Sequence, residues 1–293
     1  MIYINEFTLP SDVAEYEAIK KEKRTCLGTF YPFNIFPLKE LRTIKFDGIT
    51  MFYGGNGSGK STLINLIAKK VDAVRYSDFN DAPLFDKYAG MCSISYSRSP
   101  ENCCVLTSGD VFDYALSARA VNENIDDRRN ELMDKYREVR IAAQFNPEIG
   151  RMTSLDDYER WKETREILSR RRSMSSYVRN RLERDVDLLS NGQTAMRYFI
   201  DRIDEDAVYI LDEPENSLSI ELQIKLADYI AATARSTRSQ FIIATHSPVL
   251  LSMKGAKIYN LDSVPVGVCK WTELPNVRKY FEFFMDHSEE FEG

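Results

Sequence analysis

The sequence predicts an α/β fold, a mixed sheet flanked by helices, with a helical insertion in its middle. Three observations carry that expectation. The stretch from Ile44 to Tyr53 alternates, then runs apolar into a glycine cluster, and Leu63, Ile64, Leu66 and Ile67 follow at helical spacing. Two later apolar runs, Val208–Leu211 and Phe241–Ala244, end in polar residues on either side of a helical pattern near 220–234. Between these blocks, residues 114–186 are polar, charged and helical in pattern. The expected division is therefore a head, 1–113 and 187–293, and an insertion, 114–186.

Taken in order, residues 1–30 are mixed and charged and suggest no fold of their own. Residues 44–53 read as strands and 60–71 as an amphipathic helix. Two strand-like runs follow at 91–97 and 103–108. The insertion is interrupted near Phe145-Asn146-Pro147 and Gly150, which implies two helices, about 114–142 and 155–186. Ile125, Leu132 and Val139 on the first, with Trp161, Leu168 and Leu182 on the second, suggest an antiparallel pair ~40 Å long at 1.5 Å per residue. The α/β pattern returns with strands at 207–211 and 241–244, a helix near 220–234, and a short strand in KIYNLD at 257–262.

Composition narrows the function classes. Of 293 residues, 43% are hydrophobic and 29% charged, which excludes a disordered chain. The formal net charge of -6 argues against coating nucleic acid through bulk charge. Five cysteines with no C-x-x-C pair, and only two histidines, give no zinc site of common spacing and no disulfide scaffold. No apolar run approaches 18 residues, and the amino terminus lacks the charged-then-apolar profile of a signal peptide. A cytoplasmic protein is expected.

Residues 54–61 read Gly54-Gly55-Asn56-Gly57-Ser58-Gly59-Lys60-Ser61, the spacing G-x-x-x-x-G-K-[ST]. Glycines there let backbone N–H groups turn inward around phosphate oxygens, with the positive end of the next helix behind them. Lys60 is expected to reach the terminal phosphates of ATP, Ser61 to meet Mg²⁺, and Thr62 to complete the nucleotide-binding segment. Asp212 and Glu213 end the strand AVYIL. The first is placed to hold Mg²⁺ and the second to polarise a water over the γ-phosphate. Without the glycine loop, the same DEPE segment would read as a solvated turn.

Leu189-Ser190-Asn191-Gly192-Gln193, ahead of a helical pattern, resembles the signature of ABC-type ATPases, usually written LSGGQ. Thr245-His246-Ser247 after an apolar strand resembles the switch histidine of that superfamily, and Ser217-Leu218-Ser219 falls where its D-loop falls. The resemblance covers about 30–115 and 187–262 and is closer to stand-alone ATPases of the chromosome-maintenance and DNA-repair branch than to transporter subunits. It implies a P-loop ABC-type ATPase head that hydrolyses ATP with Mg²⁺. Glu213 and His246 are the catalytic residues it implies. Ser190, Gly192 and Gln193 are then offered to the nucleotide of a second protomer, so an ATP-dependent homodimer acting as a conformational switch is expected, in DNA processing or defence. The rival reading is the nucleotide-binding subunit of a membrane transporter.

The sequence departs from the family pattern in three places. Asn191 replaces a signature glycine. Ser108-Gly109-Asp110 stands where the family carries a glutamine after a strand, and the adenine-stacking aromatic is open between Tyr31 and Phe33. Across 165–184, seven arginines stand against two glutamates. That run reads as a solvated helix face, as a grip on a nucleic-acid backbone, or as a dock for an acidic protein partner.

Overall fold

The computed structural model describes residues 2–22, 29–77, 82–145, 158–168, 174, 178, 191–203 and 206–291. The chain divides into two compact units, Met1–Asp113 with Ser190–Gly293, and Tyr114–Leu189.

In the first unit the opening residues do fold. Strand β1 (Ile4–Thr8) is followed by helix α1 (Asp12–Lys20), whose first turn is capped by the Ser11 hydroxyl accepting from Ala14 N–H at 3.3 Å. Next come β2 (Thr43–Lys45), β3 (Ile49–Tyr53), α2 (Lys60–Lys70), α3 (Phe85–Met91), β4 (Ser93–Tyr96) and β5 (Asn102–Thr107). Helices α4 (Ser108–Phe145) and α5 (Tyr158–Leu168) follow, then α6 (Asn191–Arg202), β6 (Ala207–Asp212) and α7 (Ile220–Ser236). The chain closes with β7 (Gln240–Ala244), α8 (Pro248–Leu251), β8 (Lys257–Asn260), β9 (Gly267–Cys269) and α9 (Pro275–Asp286).

The strands form two sheets. One is six-stranded in the order β5-β6-β7-β3-β8-β9, parallel except for β9, and the other is antiparallel in the order β2-β1-β4. Every residue of β3 and of β7 is buried, as expected of continuous apolar runs in the middle of a parallel sheet. Gln240 ties the sheets together. Its Oε1 accepts from Tyr3 N–H and Ile4 N–H at 3.0 and 2.9 Å, and its Nε2 donates to the carbonyls of Ile4 and Asp47 at 3.0 and 3.2 Å. All the hydrogen-bonding capacity of this fully buried amide is used, which is what makes its burial tolerable.

The amino-terminal block also shapes the floor beneath the glycine loop. Glu15 is buried, accepts from Tyr88 O–H at 2.6 Å and Asn34 N–H at 2.7 Å, and its pKa is raised by burial. That pins the turn holding Ile35 and Phe36, and a side chain at Gly59 would meet Ile35 Cγ2 at 3.2 Å. Phe33 is buried edge-to-face against Tyr88, so it is a core residue and no platform for a ligand ring. Burial pushes the thiols of Cys92 and Cys104 up to about 12, leaving them inert at neutral pH.

The second unit contains most of α4, together with α5. Where the sequence suggests a strand to 108 and a helix from about 114, α4 starts at Ser108 and has 38 residues, about 57 Å at 1.5 Å per residue. The early start has a local cause. Thr107 Oγ1 accepts from Asp110 N–H at 3.2 Å while Asp110 Oδ2 accepts from Thr107 N–H at 2.7 Å, a reciprocal cap that nucleates the helix directly from the strand end. Leu132, Ile167 and Val178 form a small core with Val139 and Met174 packed on it. Lys135 meets Glu163 at 2.6 Å. Position 132 thus packs with 167 and 135 with 163, an antiparallel register. Ile167, not Leu168, sits in the seam. The side chains of Ile125 and Trp161, and Leu182 altogether, lie outside the described residues.

Candidate functional site

The loop ends of β3, β6 and β7 converge on one place, the carboxyl edge of the parallel strands where ligand clefts of such sheets open. After β3 the chain makes the turn 54–59 and enters α2. Gly57 and Gly59 hold φ of 78° and 93°, the left-handed region that glycine adopts without strain. Gly54 has another reason to be glycine, because a Cβ there would collide with the Ser58 side chain. A cavity of about 320 Å³ lies over this turn, lined by residues 55–62 and Glu213.

Lys60 is 5% exposed, and its Nζ donates to the carbonyls of Gly54 at 2.7 Å and Gly55 at 3.2 Å. It also stands 3.6 Å from Glu213 Oε1. Ser61 Oγ donates to Asp212 Oδ1 at 3.3 Å, although one strand, β7, separates β3 from β6 in the sheet. Glu213 follows with φ 49°, an uncommon value for a residue with a side chain. Its N–H donates to Ala244 O at 2.9 Å and its Oε2 accepts from Asn216 Nδ2 at 3.0 Å, so the turn aims the carboxylate back at Lys60. His246 arrives from the end of β7, with Nδ1 3.9 Å from Glu213 Oε1 and 3.3 Å from Glu215 Oε1.

Burial pushes the Asp212 carboxyl up to about 6, and the neighbouring Glu213 charge adds to the rise. The Ser61 hydroxyl, Lys60 and Arg75 oppose it. Among the described residues no group of three His, Cys, Asp or Glu side chains gathers into a transition-metal site. One hydroxyl and one carboxylate beside this cavity suit Mg²⁺, which keeps several waters and takes few protein oxygens.

Residues 112–252 match the family described as "AAA domain, putative AbiEii toxin, Type IV TA system", a stretch that carries Asp212, Glu213 and His246. The matched stretch runs from α4 to the end of α8 and holds the loop ends of β6 and β7. No curated protein matches the chain. Among solved structures it is similar to the Smc head domain with an extended coiled coil from Pyrococcus furiosus, bound to the C-terminal domain of ScpA. That similarity has 12% identity over 100% of both chains and a TM-score of 0.42. The SMC head domain from Thermotoga maritima has 14% identity over 92% and 99% of the two chains and a TM-score of 0.40. A nucleotide-free ATP-binding cassette from an ABC transporter has 15% identity over 83% and 93%, with a TM-score of 0.35.

The residues expected from the sequence meet unevenly in this fold. Lys60, Ser61, Asp212, Glu213 and His246 come together. Gly192 and Gln193 open α6, and a Cβ at Gly192 would meet Leu222 Cδ1 at 2.8 Å and Ser217 O at 3.5 Å. The start of α6 therefore lies against the turn expected to be the D-loop. Ser190 lies outside the described residues. Tyr31 is partly buried, stacks on Phe85 and donates to Thr62 Oγ1 at 3.0 Å, so its ring belongs to the packing around α2.

Four residues escaped the sequence reading. Arg75 is charge-coupled to Asp212 and Asp110 and bonded to Asn65 Oδ1. Asp262 Oδ2 accepts from Gly55 N–H at 2.8 Å, and Asn216 holds Glu213. Glu215 accepts from Thr245 Oγ1, His246 N–H and Ser247 N–H at 2.7, 2.8 and 3.2 Å. Of these, the aspartate closing KIYNLD was a visible signal, since a polar residue just beyond a buried strand in such a sheet faces the cleft.

Proposed function

We propose that the chain binds ATP and hydrolyses it with Mg²⁺, and that two copies close around the nucleotide as a conformational switch. The observation that carries the reading is the meeting of Lys60, Ser61, Asp212 and Glu213 at the mouth of the glycine turn, drawn from segments more than 150 residues apart. The residues fit the substrate. Ser58 Oγ is buried without a partner, and Lys60 is held by weak carbonyl acceptors that a phosphate would displace. Ser61 and Asp212 would hold Mg²⁺, whose chemistry is to neutralise charge on the transferring phosphoryl group.

Within that site each side chain has a distinct task. Lys60 binds the terminal phosphates as a fixed cation. Glu213, its direction set by Asn216 and Ala244, accepts the proton of the attacking water. His246 orients that water and the γ-phosphate. Ser190, Gly192 and Gln193 are proposed to complete the site of a partner copy, as the resemblance of 189–193 to the ABC signature implies. An assay of ATP turnover joined to sedimentation tests both parts. Lys60→Ala should lose nucleotide binding. Glu213→Gln should bind ATP, hydrolyse it roughly 10²–10⁴-fold more slowly, and sediment as a dimer only with Mg·ATP. Parent-rate hydrolysis by Glu213→Gln would refute the assigned base, and a monomer at saturating ATP would refute the switch.

A further inference from the structure

Glu215 is a carboxylate that the proposed chemistry does not use, and it is 5% exposed. Its Oε1 gathers three donors from one short segment: Thr245 Oγ1, His246 N–H and Ser247 N–H. That segment is further braced by Ser247 Oγ donating to Gln223 Oε1 at 2.6 Å. Beyond the end of β7 the His246 amide is satisfied by this acid, carried on the turn after β6, and the Ser247 amide is shared between it and Thr245 Oγ1 at 3.0 Å. The two loops that bear Glu213 and His246 are thus held as one piece.

The acid also faces the imidazole. His246 Nδ1 lies 3.3 Å from Glu215 Oε1 and 3.9 Å from Glu213 Oε1. A ring nitrogen between two carboxylate oxygens is favoured with its proton on and disfavoured with a lone pair there. The tautomer of a histidine is set by the partner of one nitrogen, which fixes what the other nitrogen offers. With Nδ1 protonated, Nε2 is left as an acceptor.

We infer that Glu215 is a positioning residue: it seats the 245–247 turn and holds His246 as the Nδ1-protonated tautomer, so that Nε2 is presented as an acceptor. This rests on the role given to His246 above. Its effect on turnover is assigned to the histidine that this turn carries, so removing it should cost little further once the histidine is gone.

Long-range ¹H–¹⁵N correlation spectra of the full chain, labelled at histidine, test this directly. Only His246 and His287 contribute, and His287→Gln assigns the signals. The parent should show His246 protonated at Nδ1. Glu215→Gln, which keeps a carbonyl acceptor, should retain that form, and Glu215→Ala should revert to the Nε2-protonated form. In turnover, Glu215→Ala should lose roughly tenfold or more, the scale on which outer partners of a working imidazole act, and Glu215→Gln should recover most of it. Glu215→Ala combined with His246→Ala should match His246→Ala alone. An Nε2-protonated His246 in the parent overturns the inference, and this readout needs no variant to fold. So does an equal loss on removing Glu215 with and without His246. If the parent does not hydrolyse ATP, the functional reading falls, and the spectra still decide the role of Glu215.

Discussion

Asp212 shows how a single side chain at this site is held against its own preference. Burial raises its pKa to about 6, well above the unfolded carboxylate value of about 3.9. The folded state therefore binds a proton more readily than the unfolded chain does. Stability from this group is complete below about pH 4 and is lost as pH rises through about 6. Asp212→Asn, measured without Mg²⁺, should melt above the parent at pH 7 to 8, with the gap closing towards pH 4, while Mg-dependent turnover is lost. A lower melting temperature at pH 7 would contradict the argument. Lys60, Ser61, Asp212 and Glu213 were legible because glycine spacing and adjacent acids at a strand end are local patterns. Glu215 was not, because its meaning depends on donors 30 residues away. Arg75 escaped for the same reason, since its charge partners lie on β6 and α4.

At the scale of elements, the strands of the parallel sheet were readable as apolar runs, whereas β1, α1, α3, β9 and α9 were not. Four of the nine residues of helix α1 are charged and five are exposed, with Glu15 as its one fully buried residue, so no apolar stripe announces it. Helix α9 was passed over for another reason: Tyr280, Phe281, Phe283, Phe284 and Met285 are all exposed, and only Val277 is buried, so its apolar residues mark no core-facing side. The pair α4 and α5 was expected, but its seam was placed one residue late, because the short apolar repeat admits both Ile167 and Leu168. The magnitudes in this pair separate cleanly. Lys135 is about half exposed, so its bridge to Glu163 is worth at most about 1 kcal/mol. Ile167 is fully buried, and Ile167→Ala should cost about 2–5 kcal/mol. Hydrogen exchange across 158–168 should therefore rise sharply for Ile167→Ala and barely for Lys135→Ala; the reverse order would mean that charge, not the small apolar core, holds the pair.

For the whole molecule, charge is the open question that binding experiments settle. Of the seven arginines in 165–184, only Arg165 falls among the described residues, so a function for the run rests on sequence alone. If the run grips a nucleic-acid backbone, affinity should fall with salt by a logarithmic slope of about -0.9 per phosphate contacted. Changing Arg170, Arg171 and Arg172 together to Glu should then abolish binding and leave basal ATP turnover intact. No binding to DNA or RNA at low salt, with or without ATP, would leave the run as a protein dock or a solvated face. Among the described residues no helix is long and apolar enough to cross a membrane. The order of the large sheet has a consequence of a different kind, for synthesis. β3 is made early, yet the strands on either side of it, β7 and β8, are among the last to be made. At about 5–20 residues per second on a ribosome, roughly 10–40 s separate Tyr53 from Gln240. Throughout that interval the strand leading into the glycine loop has two bare edges, the condition under which chains pair with one another. Soluble yield should thus be decided during translation, and slower, cooler expression or added chaperone capacity should raise it without any change in the finished protein's stability.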